Sequence, residues 1–170
     1  MRQYFAFLVQ KCTMTRKMIV MISEQGAGKG ILLEPIIQII GKWNVWAALS
    51  SDGFERFTSH LLGKMLVFCD ECLFSGDKKL ADRLKGWITS DTIDVEGKFE
   101  KRIQVQNTLN WIAASNHSHA IAAEEGDRRH CVLRLLPELA GNHNRVQRNA
   151  TMEVVNVNPK DLARVLYNDD

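Results

Sequence analysis

The segment that most restricts the fold is the octapeptide Ser-Glu-Gln-Gly-Ala-Gly-Lys-Gly at residues 23–30. It follows the short apolar run Met18–Ile22 and precedes residues 31–40, whose apolar positions have helical spacing. A strand, a glycine-containing loop and a helix in this order turn backbone N–H groups and a helix N-terminus toward an anion, and a lysine adds positive charge. The sequence therefore predicts a phosphate-binding loop. Its predicted ligand-binding residues are Gln25, Gly26, Ala27, Gly28, Lys29 and Gly30.

Length and composition are those of an ordinary globular chain. The 170 residues fit one domain with a substantial core, and 45% apolar with 25% charged residues argue against global disorder. The formal net charge of +2 is too small for the whole chain to attract nucleic acid. Any contact with DNA must therefore come from local basic clusters.

The sequence favours a cytoplasmic location without a membrane partner. The apolar stretch at residues 4–9 is short, and Gln10-Lys11-Cys12 stands where a signal peptide would have its cleavage site, so a helix is predicted there. No stretch approaches the ~18 apolar residues of a membrane span. The four cysteines lack the spacing of a disulfide-bonded secreted domain, which indicates reduced thiols.

Apolar runs alternate with helical patterns along the chain, which predicts a three-layer α/β fold with a central, mostly parallel sheet and an inserted β-hairpin. We expect a helical lead-in at residues 1–17, a core at 18–136 and a C-terminal extension at 137–170. The predicted strands are Met18–Ile22, 65–69, 109–114 and 131–135, the predicted helices are 31–40, 54–62 and 77–89, and the predicted hairpin is 93–106 with a turn at Gly97-Lys98.

Two adjacent carboxylates follow the predicted strand at residues 65–69. Asp70 and Glu71 would lie at the carboxyl edge of the sheet, where ligands bind in folds of this kind. Asp70 is the expected Mg²⁺ ligand, and Glu71 is expected to orient or deprotonate an attacking water. Cys69 and Cys72 flank the pair in a C-x-x-C spacing that is also found in zinc and redox sites, but the chain has no second such pair.

The predicted strand at residues 109–114 ends in Ser115 and Asn116. The amide of Asn116 would reach the same edge, where it can contact a γ-phosphate or the lytic water, although a strand-end asparagine is also an ordinary turn residue. Further along, Arg128 and Arg129 offer guanidinium groups suited to phosphate oxygens. They are candidates for an arginine finger that reaches the nucleotide of a neighbouring subunit, or for an ion-paired surface loop.

Taken together, these stretches resemble the superfamily 3 helicases, in particular the poxvirus-like primase–helicase branch carried by phages and plasmids. The resemblance covers about residues 4–135. It rests on the loop ending Gly-Lys-Gly, the run Leu-Val-Phe-Cys-Asp-Glu, Ala114-Ser115-Asn116 and Asp127-Arg128-Arg129-His130. It implies an AAA+-like core that forms a homo-oligomeric ring, commonly a hexamer, and couples hydrolysis of ATP with Mg²⁺ to movement along single-stranded DNA. It also implies a primase in the same or a separate chain and action in the cytoplasm of a bacterial host.

The resemblance assigns roles to individual residues. Lys29 and its loop would bind ATP, Asp70 and Glu71 would form the acidic pair, Asn116 would be the sensor, and Arg129, with Arg128 as the fallback, would be the finger. The hairpin at residues 93–106 matches the loop of these helicases that touches DNA. Its predicted DNA-binding residues are Lys98, Phe99 and Lys101.

Two positions depart from the usual loop pattern and keep other functions open. Ser23 replaces the first glycine, and Gly30 stands where a serine or threonine hydroxyl would bind Mg²⁺, so weak ATP turnover is expected. One alternative is a nucleotide kinase-like phosphotransferase, since such enzymes also carry Gly-x-Gly-Lys-Gly loops. The other is a non-catalytic module that binds nucleotide or DNA and serves in assembly.

Overall fold

The computed structural model describes residues 2–24, 29–48, 54, 57–70, 78–116, 127–135 and 152–155. The described helices are α1 (Arg2–Lys11), α2 (Lys29–Ile40) and α3 (Lys78–Thr89). The described strands are β1 (Met18–Ile22), β2 (Val45–Ala48), β3 (Leu66–Asp70), β4 (Thr92–Val95), β5 (Ile103–Gln106), β6 (Asn110–Ser115), β7 (His130–Leu135) and β8 (Met152–Val155). Short 3₁₀ turns occupy Lys42–Asn44 and Ser59–Leu61.

The central sheet has six strands in the order β2-β3-β6-β1-β7-β8. The first five strands run parallel, and β8 pairs with β7 in the antiparallel direction. Met18, the first residue of β1, lies beside Trp111 of β6 and His130 of β7. The prediction of an α/β fold with a mostly parallel sheet is therefore confirmed.

Helices cover both faces of this sheet, so its central strands are buried on both sides. In β1, Ile19 and Met21 belong to a core that includes residues of α1 and α2, whereas Met18 and Val20 belong to a second core with residues of α3 and the β4–β5 hairpin. Such burial explains why the parallel strands read as continuous apolar runs in the sequence.

Helix α3 has the amphipathic pattern expected from its sequence. Its four buried side chains recur at helical spacing: Leu80, Leu84, Trp87 and Ile88. The Trp87 ring stacks on that of Trp111 in β6, with centroids 5.7 Å apart and an interplanar angle of 7°. This contact fixes the face that α3 presents to the sheet.

The helix predicted at residues 54–62 is wrong for the residues that the structure describes. The described residues include the 3₁₀ turn Ser59–Leu61 in place of an α-helix, although Phe54 and Leu61 are buried as their apolar character requires. The backbone N–H of Thr58 donates to the carbonyl of Glu96 at 2.9 Å, and the Glu96 N–H donates to the Thr58 hydroxyl at 3.2 Å. These bonds tie the segment to the hairpin and replace the local bonds of a helix.

Three further elements complete the described fold. Helix α1 confirms the helix expected near residues 4–9, and Tyr4 donates from its hydroxyl to the carbonyl of Trp111 at 3.3 Å. Strands β2 and β8 were not predicted, and β8 lies within the expected C-terminal extension. None of the described helices is long and apolar enough to span a bilayer.

Candidate functional site

The carboxyl ends of three neighbouring strands bring the described residues Lys29, Asp70 and Asn116 of the predicted site to one edge of the sheet. Ile22 at the end of β1 lies beside Ser115 of β6, and Asp70 at the end of β3 lies beside Ala114. Beyond the strand, the Ser23 N–H donates to the carbonyl of Ser115 at 3.1 Å, so the β1–β6 pairing continues into the loop.

Lys29 and Asn116 meet at this edge. Lys29 is the first residue of α2, and its Nζ donates to Oδ1 of Asn116 and, at 3.4 Å, to the carbonyl of Ser23. Lys29 is half-buried and Asn116 is exposed. An ammonium group at the N-terminus of a helix forms a positively charged corner that favours an anion.

The carboxylate of Asp70 lies on β3, which is separated from β1 by β6. It is half-buried at the end of β3. Among the described residues, no group of three or more His, Cys, Asp or Glu side chains is arranged to hold a metal ion. A cation at this edge would therefore have Asp70 as its described carboxylate ligand and would need oxygens from a bound phosphate or water.

Several predicted residues lie outside the described part of the chain. These are Gln25, Gly26, Ala27 and Gly28 of the loop, Glu71 of the acidic pair, and Cys72 of the C-x-x-C spacing. Gly30 is described, and it is exposed in the first turn of α2. A Cβ atom built on Gly30 would have nothing within 4 Å. A serine side chain would therefore fit at position 30, although the sequence has a glycine there.

Arg128 and Arg129 lie at the opposite edge of the sheet from Lys29. Arg129 directly precedes β7, and its carbonyl accepts from the N–H of Met18 at 2.8 Å, at the start of β1. The length of β1 separates the two edges by roughly 16 Å at about 3.3 Å per residue. The arginines therefore do not join Lys29 within one chain, and the finger role that we expected between subunits stays a prediction.

The segment around Arg129 contains an ion pair, as the ion-paired alternative for this arginine expects, together with a contact of His130 that sequence patterns did not reveal. Arg129 Nε donates to Asp127 Oδ1 at 2.9 Å, and His130 Nδ1 lies 3.3 Å from Asp127 Oδ2. Burial alone would raise the pKa of Asp127, but the hydrogen bonds from Arg129 and the nearby positive charges lower it below its ordinary value. Burial lowers the pKa of His130, against the attraction of Asp127.

The predicted hairpin is confirmed, and its tip is exposed. Strands β4 and β5 pair in the antiparallel direction from Thr92 beside Gln106 to Val95 beside Ile103. At the tip, Phe99 is 95% exposed and adopts the left-handed backbone region with φ 65°. Lys98 Nζ lies 5.3 Å from the centroid of the Phe99 ring, and Lys101 is exposed nearby. A bulky residue with positive φ is an outlier, and backbone strain of this kind concentrates at functional sites.

Comparison with known proteins establishes the family. Residues 21–129 match the model of a family described as a family of unknown function, DUF5906. The chain belongs to this family. The matched region begins near the end of β1, at Met21, and ends at Arg129, directly before β7, so it contains both the carboxyl-edge residues and the hairpin.

The chain is similar to a phage DNA primase-polymerase and to solved structures of a C-terminal region from the same phage. The chain is 27% identical over 133 residues to the DNA primase-polymerase of Nitratiruptor phage NrS-1, and the match covers 76% of this chain and 18% of that protein. The A-form apo structure of the NrS-1 C-terminal region is similar with a TM-score of 0.67 at 26% identity, over 78% of this chain and 32% of that one. A further apo structure of the same region shares the fold, with a TM-score of 0.71 at 24% identity over 98% of this chain and 38% of that one.

These comparisons correct the helicase interpretation. The family match and the relatives point to a primase-polymerase region and not to a superfamily 3 helicase domain, so the expected family, the DNA helicase motor and the ATP hydrolase activity are wrong. The error has a chemical reason. A lysine, a strand-end carboxylate and an amide are suited to any nucleoside triphosphate, and they do not distinguish a motor from a nucleotidyltransferase.

Proposed function

We propose that this chain is a nucleotide-binding domain of a DNA primase-polymerase-type replication protein. The observation that carries the proposal is the contact of Lys29 with Asn116 at the carboxyl edge of the sheet. The name of the NrS-1 relative, DNA primase-polymerase, supports the assignment to a replication protein of this type. The chain spans less than a fifth of that relative, so the activity of a whole primase-polymerase belongs to the proposal as well.

The order of the strands supports a P-loop type of nucleotide site. Strand β6 lies between β1, which precedes the predicted loop, and β3, which ends in Asp70. This places Asn116 between the lysine and the carboxylate. We propose that the loop at residues 23–30 surrounds the phosphates and that the fold is AAA+-like with the β4–β5 hairpin inserted.

In the proposed site, each residue acts on the triphosphate through its charge or its hydrogen bonds. Lys29 would offset the negative charge of the β- and γ-phosphates, and Asn116 would donate or accept a hydrogen bond beside them. Asp70 would hold Mg²⁺, which binds proteins through one or two carboxylates together with phosphate oxygens. Bound Mg²⁺ would supply neutralisation of the phosphate charge.

Nucleotidyl transfer is the reaction class that the primase-polymerase proposal implies. A 3′-hydroxyl oxygen forms a bond to the α-phosphorus of the nucleotide, the bond to pyrophosphate breaks, and the hydroxyl proton passes to a base or to water. The part that we propose for this chain is to hold the triphosphate and the DNA strand. The hairpin tip supports the second task, because an exposed aromatic ring flanked by lysines can stack on a base and contact the backbone.

The arrangement of several chains is also a proposal. A guanidinium at the amino edge can reach a nucleotide only on another copy, so the position of Arg129 supports a homo-oligomer, including the ring expected from the sequence. The cytoplasm of a bacterial host is the proposed location. Mass measurement in solution, with and without ATP, Mg²⁺ and single-stranded DNA, tests the oligomer.

A titration of the purified chain with fluorescent ATP and deoxynucleoside triphosphate analogues tests the nucleotide site. Wild-type protein and Lys42→Ala should bind in the presence of Mg²⁺, and Lys29→Ala should lose about tenfold or more of the affinity. Lys42 is an exposed lysine that follows α2 at the amino side of β2, far from the site. Equal affinities of all three proteins would refute the site.

Incorporation of labelled nucleotides opposite a single-stranded template tests the reaction class. A product that requires the template and Lys29 would support nucleotidyl transfer. Intact nucleotide binding without any template-dependent product would contradict nucleotidyl transfer by this chain while leaving the nucleotide site in place.

A further inference from the structure

A groove of about 440 Å³ runs between α3 and the β4–β5 hairpin, away from the carboxyl-edge site. Its volume falls within the range of ligand sites. Polar and charged side chains dominate its walls. Arg83 and Ser90 line the α3 side, and Thr92, Asp94, Arg102 and Gln104 line the hairpin side.

Arg83 is held in a fixed position on one wall. Its Nη1 donates to the carbonyl of Phe54 at 2.9 Å, and its guanidinium lies 4.7 Å from the centroid of the Trp87 ring. Partial burial lowers the pKa of Arg83, and the positive charge of Arg102 lowers it further. Arg83 and Arg102 therefore line the same groove from its two walls.

Arg102 on the opposite wall is only loosely paired. Its Nη1 lies 3.7 Å from Asp94 Oδ2, and its Nε lies 3.9 Å from Glu96 Oε2. Exposed ion pairs at such distances contribute little to stability. A phosphate can compete with these carboxylates for Arg102, because the guanidinium fork matches phosphate oxygens.

The groove and the hairpin tip offer complementary chemistry. The groove has guanidinium groups and polar donors, but its aromatic residue, Trp87, is buried beneath Arg83 and presents no free ring face for a base. The tip has an exposed ring at Phe99 but no groove. Arg102 follows Phe99 by three residues, a chain span of at most about 10 Å. One strand can therefore stack on the tip and lay its backbone against the groove.

We propose that the groove between α3 and the hairpin binds the phosphodiester backbone of a single-stranded nucleic acid whose base stacks on Phe99. Arg102 and Arg83 are the phosphate-binding residues, and Thr92 and Gln104 supply hydrogen bonds beside them. This inference rests on the DNA-binding role proposed for the hairpin and adds a second, separate contact to it. Phosphate oxygens are also present in a free nucleotide, and the experiment distinguishes the two sources.

Fluorescence anisotropy of a labelled oligothymidine, measured at several salt concentrations, tests the groove. Arg102→Gln should weaken binding on the order of tenfold and reduce the slope of log affinity against log salt by about 0.7. Lys42→Gln, which removes one charge beyond the opposite face of the sheet, should leave both quantities unchanged. Combining Arg102→Gln with Lys98→Ala should reduce the slope by about 1.4, because two phosphate contacts are then lost.

The outcomes distinguish binding at the hairpin tip from binding in the groove. They also distinguish a nucleic-acid strand from a free nucleotide as the source of the phosphate. If Lys98→Ala weakens binding and Arg102→Gln does not, the groove assignment is overturned while the hairpin role stands. If wild-type protein binds no oligothymidine, both are overturned. ATP affinity unchanged in Arg102→Gln supports a strand, whereas a loss of ATP affinity with DNA affinity retained would assign the groove to a free nucleotide and overturn the inference. Arg83→Lys, which keeps the charge but not the fork, should weaken DNA binding at an unchanged salt slope, and full wild-type affinity would contradict the role of Arg83.

Discussion

Lys29 Nζ donates a hydrogen bond to Oδ1 of Asn116, although the two residues are 87 positions apart in the chain. The contact forms because β1 and β6 are parallel neighbours, so the residues that follow them arrive at the same edge. The ammonium group is thereby held beside the side-chain amide oxygen of Asn116 at this edge.

A double-mutant cycle tests whether Lys29 and Asn116 act as one unit in nucleotide binding. Lys29→Ala and Asn116→Ala should each weaken binding of ATP with Mg²⁺. The double variant should lose less than the sum of the single losses by roughly 0.5–3 kcal/mol, the range for residues in contact. Titration calorimetry of the four proteins gives the coupling, and strictly additive losses would contradict a shared role.

The sequence permits prediction of elements whose signal is local. The spacing of Leu80, Leu84 and Trp87 predicts both the existence of α3 and its buried face. The apolar runs of β1 and β6 predict central strands, and the polar residues after them predict a common edge. The proximity of Lys29 and Asn116 follows from that edge.

Other features depend on contacts that a local pattern does not contain. The apolar spacing at residues 54–62 is helical, but Thr58 bonds to Glu96, 38 positions later, and the described residues of the segment form no α-helix. Asp127 and His130 meet at the start of a strand, where no periodic pattern marks them. The function was mistaken because Lys29, Asp70 and Asn116 suit a nucleotide in several reaction classes, and the chemistry of three side chains does not select one.

Asn107 connects the end of α3 to the strand that follows the hairpin. Its side-chain amide forms a network of buried hydrogen bonds, and a substitution at this position tests how much that network stabilises the fold. Its Nδ2 donates to the carbonyls of Trp87 at 2.7 Å and Ser90 at 2.8 Å, and its Oδ1 accepts from the N–H of Leu109 at 3.0 Å. Asn107→Asp has the same shape but no donors, so a carboxylate would face two carbonyl oxygens. The free energy of unfolding should fall by about 3 kcal/mol or more.

Denaturant unfolding at pH 7 measures the loss caused by Asn107→Asp. Gln106→Glu is the matched control, because it makes the same chemical change at the neighbouring, exposed position on β5. The control should change stability by less than about 0.5 kcal/mol. Similar values for the two variants would show that the Asn107 hydrogen bonds contribute little.

Phe99→Gly should separate stability from DNA binding. Left-handed backbone costs a non-glycine residue roughly 1–2 kcal/mol, whereas glycine adopts it freely and adds up to about 1 kcal/mol of unfolded-state entropy. The melting temperature should therefore stay the same or rise. Affinity for oligothymidine should fall by the loss of one stacked base, about 1–3 kcal/mol. Phe99→Trp keeps a ring and should keep the affinity, so a loss in both variants would argue against stacking.

Acidification below neutral pH should destabilise the fold through His130. Burial depresses the pKa of this side chain from its ordinary value of 6.5, with Asp127 opposing and Arg129 and Lys85 reinforcing the shift. The unfolded chain then takes up a proton at a higher pH than the folded chain, so the contribution to stability is complete above about pH 6.5 and is lost as the pH falls toward the folded pKa. Asp127, whose pKa is also lowered, adds a second loss only below about pH 4.

Thermal unfolding at pH 7.5 and pH 5 measures the contribution of His130. The wild-type protein should melt at a lower temperature at pH 5, and His130→Gln should show a smaller difference between the two conditions, whatever its absolute stability. A difference as large in the variant as in the wild type would assign the pH dependence to other groups.

Asp70 should govern how nucleotide affinity depends on Mg²⁺. Its carboxylate lies at the carboxyl edge and suits this ion, and Asp70→Asn keeps the shape while removing the charge. The variant should bind ATP with the same affinity with and without Mg²⁺, whereas the wild-type chain should bind more tightly with it. Gly30→Ser supplies the reciprocal test, since its side chain has room at the start of α2 and adds the hydroxyl that the loop lacks. It should increase the Mg²⁺ effect in the wild-type background. An undiminished Mg²⁺ effect in Asp70→Asn would place the metal ligands elsewhere.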